Sequence, residues 1–188
     1  MTITGPAIGR LVLLGLVTSI LQLTAASQVS IFGVPMDLSP LIVASVGFLC
    51  GSVPGSVFGF SFGLFADTAL MQTLGVTSLV LTAVGYGAGR IRELRDPAHG
   101  LAPVAVGAAA TAIAALGVTL LQFLLGVEAP VSMQVIRQIL MTIVLNTLLA
   151  LPVYAICRRV MAPYLPDDPR RRRRRAYTTG GLSPLSKA

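Results

Sequence analysis

Apolar residues run along this chain in long blocks instead of alternating with polar ones, the pattern of helices solvated by lipid and not by water. The first block is Ile8 to Ala26, interrupted only by Arg10 near its start. Three more run from Ala69 to Gly89, from Leu101 to Leu125, and from Val135 to Val160. Each is long enough for one helical crossing, which takes roughly 20 apolar residues for a hydrocarbon core about 30 Å thick. The first block also has the shape of a secretory signal, with Arg10, the LVLLGLV core and the small residues Thr24 to Ser27. The later blocks span the membrane under either reading.

Between the first block and the others lies Leu38 to Ala66, long for one crossing and short for two full ones. The basic residues decide how it is read, because Lys and Arg collect on the cytoplasmic side of membrane proteins. Arg90, Arg92 and Arg95 belong inside with Arg158 and Arg159. A single crossing by residues 38–66 would force the Arg90 loop outside. A hairpin leaves the connections after residues 27, 67 and 126 external, and these carry Asp37, Asp67 and Glu128 but no Lys or Arg. Only Arg137 then sits near the outer side, and both termini are cytoplasmic. The expected fold is all-α: a polytopic membrane bundle of about six transmembrane helices with residues 38–66 as a short helical hairpin. Its turn is expected at Gly51-Ser52-Val53-Pro54-Gly55, where Pro removes a donor and Gly permits a reversal. Arms of about 13 residues reach about 20 Å, less than the hydrocarbon thickness, so they either thin the membrane or form a re-entrant loop.

Composition agrees. Of 188 residues, 54% are hydrophobic and 11% charged, too few polar groups to cover a soluble domain of this size. The net charge of +7 is mostly a tail, since six of fourteen basic residues are Arg170, Arg171, Arg172, Arg173, Arg174 and Arg175. The chain therefore divides into a membrane domain, 1–162, and a disordered arginine-rich cytoplasmic tail, 163–188. Near an anionic leaflet each basic residue contributes about 1 kcal/mol of attraction, so the tail reads as a lipid-headgroup anchor or an orientation signal in preference to a site for nucleic acid or an acidic protein.

Gly47, Gly51, Gly55, Gly59 and Gly63 recur every fourth residue, and small residues at that spacing let helices approach closely in lipid. They serve either packing inside the chain or a seam with a partner, and Gly85, Gly87 and Gly89 carry the same ambiguity. Five glycines drift too far around an ideal helix to form one stripe, so a break at Pro54 would divide them. Asp67 closes the hairpin at the outer face, where it either pairs with Arg137 or a partner's donor, or stays an exposed carboxylate. Asn146 falls near the middle of the last helix, where its amide needs a hydrogen-bond partner. Catalysis needs paired groups in a shielded pocket, and the ionisable residues here sit at membrane edges, so no enzyme activity, cofactor or metal is expected. His99 is the only histidine. Cys50 and Cys157 face a reducing compartment, where no disulfide is expected. GSVPGSVFG lacks the Lys-Ser or Lys-Thr of a phosphate loop.

The stretch GSVFGFSFGLFAD at residues 55–67 resembles the glycine-spaced segment ending in Gly-Leu-x-x-Asp of the bacterial rod shape-determining MreD family. Leu74-Gly75, then GYGAGR at 85–90, FGVPMDL at 32–38, and Asn146 with Leu149, Pro152, Val153 and Tyr154 extend the likeness over residues 8 to 160. Met36 stands where the family more often has Pro directly before the acidic residue, and the arginine tail is not a family feature. The resemblance implies a non-enzymatic inner-membrane scaffold of the elongation complex. Its partners would be MreC, then the actin-like MreB and the elongation transpeptidase and polymerase, besides membrane lipids and a second copy of the chain. It points to Gly55, Gly59 and Gly63 for close packing and to Asp67 for a polar contact at the outer rim, with Gly85, Gly89 and Asn146 as further candidates for a helix-packing or partner interface. The competing class is the small-molecule-binding membrane subunit of an energy-coupling vitamin transporter, similar in fold. It would need convergent polar side chains in its core, which this chain offers sparsely.

Overall fold

The computed structural model describes residues 5–28, 30–31, 34–35, 37–94, 102–126 and 133–164. Arg95, His99, Glu128 and the run Arg170 to Arg175 lie outside them. Six helices follow in chain order: α1 (Gly5–Gln28), α2 (Ser39–Cys50), α3 (Ser52–Ala69), α4 (Val76–Leu94), α5 (Ala102–Leu124) and α6 (Met133–Met161). A two-residue antiparallel ladder, β1 (Ser30–Ile31) with β2 (Val34–Pro35), links α1 to α2, and a short turn of 3₁₀ helix follows α6.

Helix α2 is the centre. Every residue from Ser39 to Leu49 is buried, as expected of a short helix that is apolar on all sides. Around it stand α3, α4, α5 and α6, and the core joins Val43 and Val46 to Phe58, Phe62, Leu81, Val84, Val106 and Ala110. Pro40 sits in the first turn of α2, where its missing N–H costs no intrahelical bond. Helix α1 lies at the edge, and among its described side chains the buried ones form one stripe, Leu11, Leu14, Thr18 and Ser19.

The hairpin reverses at the single residue Gly51, whose φ of 106° and ψ of 177° lie where side chains are rarely tolerated. The turn expected over residues 51–55 is thus shorter than anticipated. Ser52 to Gly55 already form the first turn of α3, and Pro54 is accepted there for the same reason as Pro40. The arms are also unequal, 12 and 18 residues instead of about 13 each. The second runs on to Ala69 and so takes the start of the block expected to open the next helix. That helix, α4, begins only at Val76, after a loop in which Gly75 has φ of 93°.

Among the described residues two helices are each long and apolar enough to cross a membrane unaided, Ala102–Leu124 and Ile136–Met161. Stretches Gly9–Ile20 and Ser39–Cys50 are apolar but shorter. The exterior is hydrocarbon nearly throughout, with Val12, Leu16, Val57, Phe60, Leu79, Ile113, Leu120, Leu140, Val144 and Leu148 all exposed. Arginines Arg10, Arg90, Arg92, Arg158 and Arg159 gather at one end of the bundle. Their helix ends are tied there by hydrogen bonds from Arg10 to the Val160 carbonyl (3.2 Å) and from Arg92 to the Leu49 carbonyl. The Phe48 and Tyr154 rings, centroids 6.0 Å apart, join α2 to α6 at the same end.

Candidate helix-packing and partner site

Helices α3 and α4 run antiparallel at a separation that only glycine permits. A methyl group added at Gly55 would lie 2.5 Å from the Gly85 carbonyl oxygen and 2.6 Å from the Gly47 Cα, where real contacts begin near 3.4 Å. Gly59 faces the Leu81 backbone, Gly63 the backbone of Ser78, Gly85 that of Gly55, and Gly89 that of Ser52. The four-residue repeat thus stands at a contact within the chain, and the break that divides it is Gly51, not Pro54. Gly47, on α2, meets Gly85 from the other side, so three backbones converge at that level. Gly87 differs from its neighbours: it has open space around it.

Polar groups lock both ends of this seam. At the arginine end Glu93 accepts hydrogen bonds from the Ser52 N–H (2.9 Å) and the Ser52 hydroxyl (2.7 Å), capping the start of α3. Those two bonds, and to a lesser degree Arg90 at 3.3 Å, hold the exposed Glu93 carboxyl below the usual carboxylate range. Arg92 meanwhile donates to Leu49, one of the last carbonyls of α2. One turn of α4 therefore places an anion at a helix start and a cation at a helix end, each matched to the local dipole. Sequence reasoning passed over Glu93, although it is the one acid among Arg90, Arg92 and Arg95.

At the far end stands Asp67, and here the expectation of a rim contact is corrected: the side chain is 0% exposed. Its Oδ2 accepts from the Gly75 N–H (2.8 Å) and the Ser78 N–H (3.4 Å), closing the start of α4. Oδ1 has no hydrogen-bond partner among the described residues. Arg137 is exposed on α6 and does not pair with it. A donor-rich helix start eight residues downstream satisfies the carboxylate better than a long side chain reaching across the bundle. Ser78 is also bonded through its hydroxyl to the Phe60 carbonyl, 3.0 Å.

Asn146 is buried between α5, α6 and the approach to α2, donating to the Asp37 carbonyl (2.7 Å) and to the Thr111 hydroxyl (3.2 Å). Most other buried hydroxyls bond within their own helix, as Ser45 does to Leu41 and Thr111 to Gly107. Between α1 and α3 runs an apolar groove of about 390 Å³, lined by Leu11, Gly15, Leu16, Val57, Phe58 and Phe62 among others. Cys50 is half-buried and Cys157 buried, both as free thiols.

These features define an α-helical membrane protein whose small residues face inward on a clamped hairpin and whose long helices present hydrocarbon outward. The family model of the rod shape-determining protein MreD matches residues 7–160, and the chain belongs to that family. Membership places it among membrane proteins of rod-shape determination. No curated protein and no solved structure matches it.

Proposed function

We propose that the chain is a non-enzymatic scaffold of the cell-elongation complex that supports side-wall peptidoglycan synthesis by helix packing with MreC. Through that assembly it works with MreB and the elongation transpeptidase and polymerase. In this reading it crosses the bacterial cytoplasmic (inner) membrane six times with both termini in the cytoplasm. The five arginines at one end, against Arg137 alone at the other end of α6 among the described residues, support that orientation. The tail from Arg170 to Arg175 then lies against the anionic inner leaflet.

One observation carries the scaffold reading. The glycines Gly55, Gly59, Gly63, Gly85 and Gly89 face the chain's own helices, while α6 leaves a full stripe open: Ile136, Leu140, Val144 and Leu148, the last 77% exposed. A stripe at four-residue spacing along a long helix can pack laterally against a partner helix or a second copy. The α1–α3 groove, by contrast, carries hydrocarbon where a vitamin would need convergent hydrogen-bonding groups.

The test is purification of the tagged chain from its native host in mild detergent, followed by identification of what stays bound. MreC or a wall synthase should be recovered, and lost when Val144 and Leu148 are both replaced by Trp. Recovery with only a stoichiometric small molecule, or with an ATPase module, would overturn the scaffold reading in favour of a transporter subunit.

A further inference from the structure

The outward face of α6 carries one charge at its outer end. Arg137, Leu140, Val144, Leu148, Leu151 and Ala155 follow one another at steps of three and four residues, so they share one face of the helix, and all six are exposed. Below Arg137 this face is hydrocarbon until Arg158. From Arg137 to Arg158 the helix rises about 32 Å at 1.5 Å per residue, close to the hydrocarbon thickness of about 30 Å. With Arg158 at the inner boundary, Arg137 stands at the outer one, where the described residues include no other Lys or Arg.

No described acid pairs with the Arg137 guanidinium. Helix α6 contains no Asp or Glu. Asp37 accepts from the Ser39 N–H (3.0 Å), Asp67 is enclosed at the start of α4, and Glu93 caps α3 at the opposite end of the bundle. A cation at the edge of hydrocarbon is costly unless it is paired, and a carboxylate matches a guanidinium with two parallel hydrogen bonds.

We propose that this face of α6 receives a transmembrane helix of another protein bearing Asp or Glu at the outer membrane boundary, and that Arg137 pairs with that carboxylate. The proposal rests on the scaffold reading and its orientation, and it supplies the chemistry of the partner. A second copy does not fit this face. In a symmetric parallel seam each residue meets its own level on the other copy, setting Arg137 against Arg137, and a single membrane orientation bars the antiparallel seam. The charge also fixes register: a partner helix can slide along hydrocarbon alone, whereas an ion pair at the end of the stripe sets its height.

The experiment uses the tagged full chain in its native host with Val144→p-benzoylphenylalanine, a photoreactive side chain at the middle of the face. Ultraviolet light should join it to one protein whose transmembrane helix has an Asp or Glu at its outer end. Arg137→Glu should lower the adduct yield at least about ten-fold, and changing the partner's acid to Arg should restore it. Arg137 is exposed, and its replacement by Glu strengthens the inward bias of basic residues, so fold and orientation are retained. An undiminished adduct in Arg137→Glu, or a loss that the partner's exchange does not reverse, overturns the pairing while leaving α6 as a contact face. Restoration by Glu128→Arg instead makes the pair internal and refutes the proposal, as does an adduct with a second copy or with lipid alone. No protein adduct while MreC or a wall synthase is still recovered in mild detergent removes this site and leaves the scaffold reading standing. Absence of both removes that reading and the proposal with it.

Discussion

Replacing Gly55 by Ala adds one methyl group where three helices meet, and its consequence can be worked from the geometry. The new Cβ would stand 2.5 Å from the Gly85 carbonyl oxygen on α4 and 2.6 Å from Gly47 Cα on α2. To reach ordinary contact near 3.4 Å, both helices must withdraw by about 0.9 Å, and a gap of that size forfeits a quarter to a half of each dispersion contact it opens. Neither helix can yield alone. Helix α2 is buried on every side, so moving it displaces α5 and α6, and α4 is held by Glu93 at one end and Asp67 at the other. Overpacking ordinarily costs about 1–3 kcal/mol, and backbone neighbours place this case at the upper end.

Against that stands the better helix propensity of Ala, worth up to about 1 kcal/mol, so the net loss should be about 2 kcal/mol. Gly87→Ala is the internal control, because it makes the same chemical change with nothing within 4 Å of the new atom. It should be neutral or stabilising by up to about 1 kcal/mol. The two variants should therefore differ by about 3 kcal/mol, on the order of a hundredfold in the unfolding equilibrium. The chain has no Trp, so unfolding is best followed by far-ultraviolet circular dichroism as a denaturing detergent replaces a mild one. Equal stability of the two variants would refute close backbone packing between α3 and its neighbours.

Glu93→Gln should weaken the hairpin at neutral pH. Because the folded-state pKa is depressed, the wild-type advantage is full above the unfolded value of about 4.3 and is lost as pH falls through the folded one. Thermal melts of both proteins across acid pH should converge. Asp67→Ala should cost about 2–3 kcal/mol by stranding the Gly75 and Ser78 N–H groups, and Asp67→Asn less, since one oxygen is kept. The same detergent titration reads both. Asn146→Leu should cost about 1 kcal/mol through its two lost bonds and loosen α6 from α5, visible as faster hydrogen exchange around Thr111. Changing Arg170 through Arg175 to Gln should remove about 1 kcal/mol of anionic-lipid attraction per residue, measured by binding of the tail peptide to vesicles with and without acidic lipid.

The hairpin over residues 38–66 was legible in the sequence because three separate signals agreed: its length, the position of the basic residues, and Gly51 beside Pro54. Its exact ends were not. A continuous apolar run does not reveal where one helix stops and the next begins, so Ala69 to Gly75 was read as helix when it is mostly loop. Asp67 was misplaced for a related reason. A lone acid between apolar blocks reads as a water-facing rim, whereas its partners are backbone N–H groups, which have no sequence signature. Glu93 was missed because an acid inside a basic cluster looks like a surface charge. The β ladder before α2 also escaped notice, since four residues carry no periodicity.

The arrangement divides labour between two parts of the chain. Helices α2, α3 and α4 form a block in which the close approaches, the end clamps and the buried carboxylate all turn inward, leaving few of its own polar groups to offer a neighbour. Helices α5 and α6 are longer, and most of their surface is hydrocarbon with little specific chemistry of its own. A partner helix meeting α6 would find the Ile136 to Leu148 stripe held in a fixed position, because Asn146, on the opposite side of that helix, bonds to Thr111 and to the backbone at Asp37. Shape fixed by the rigid block, and presented on an exposed helix, is what selective packing requires where lipid and protein are equally apolar. Weakening the Asn146 tie should therefore reduce partner recovery without altering any residue on the contact face. A Val144 and Leu148 replacement should reduce recovery without altering stability. Were both variants to lose stability and recovery together, the separation between block and contact face would fail.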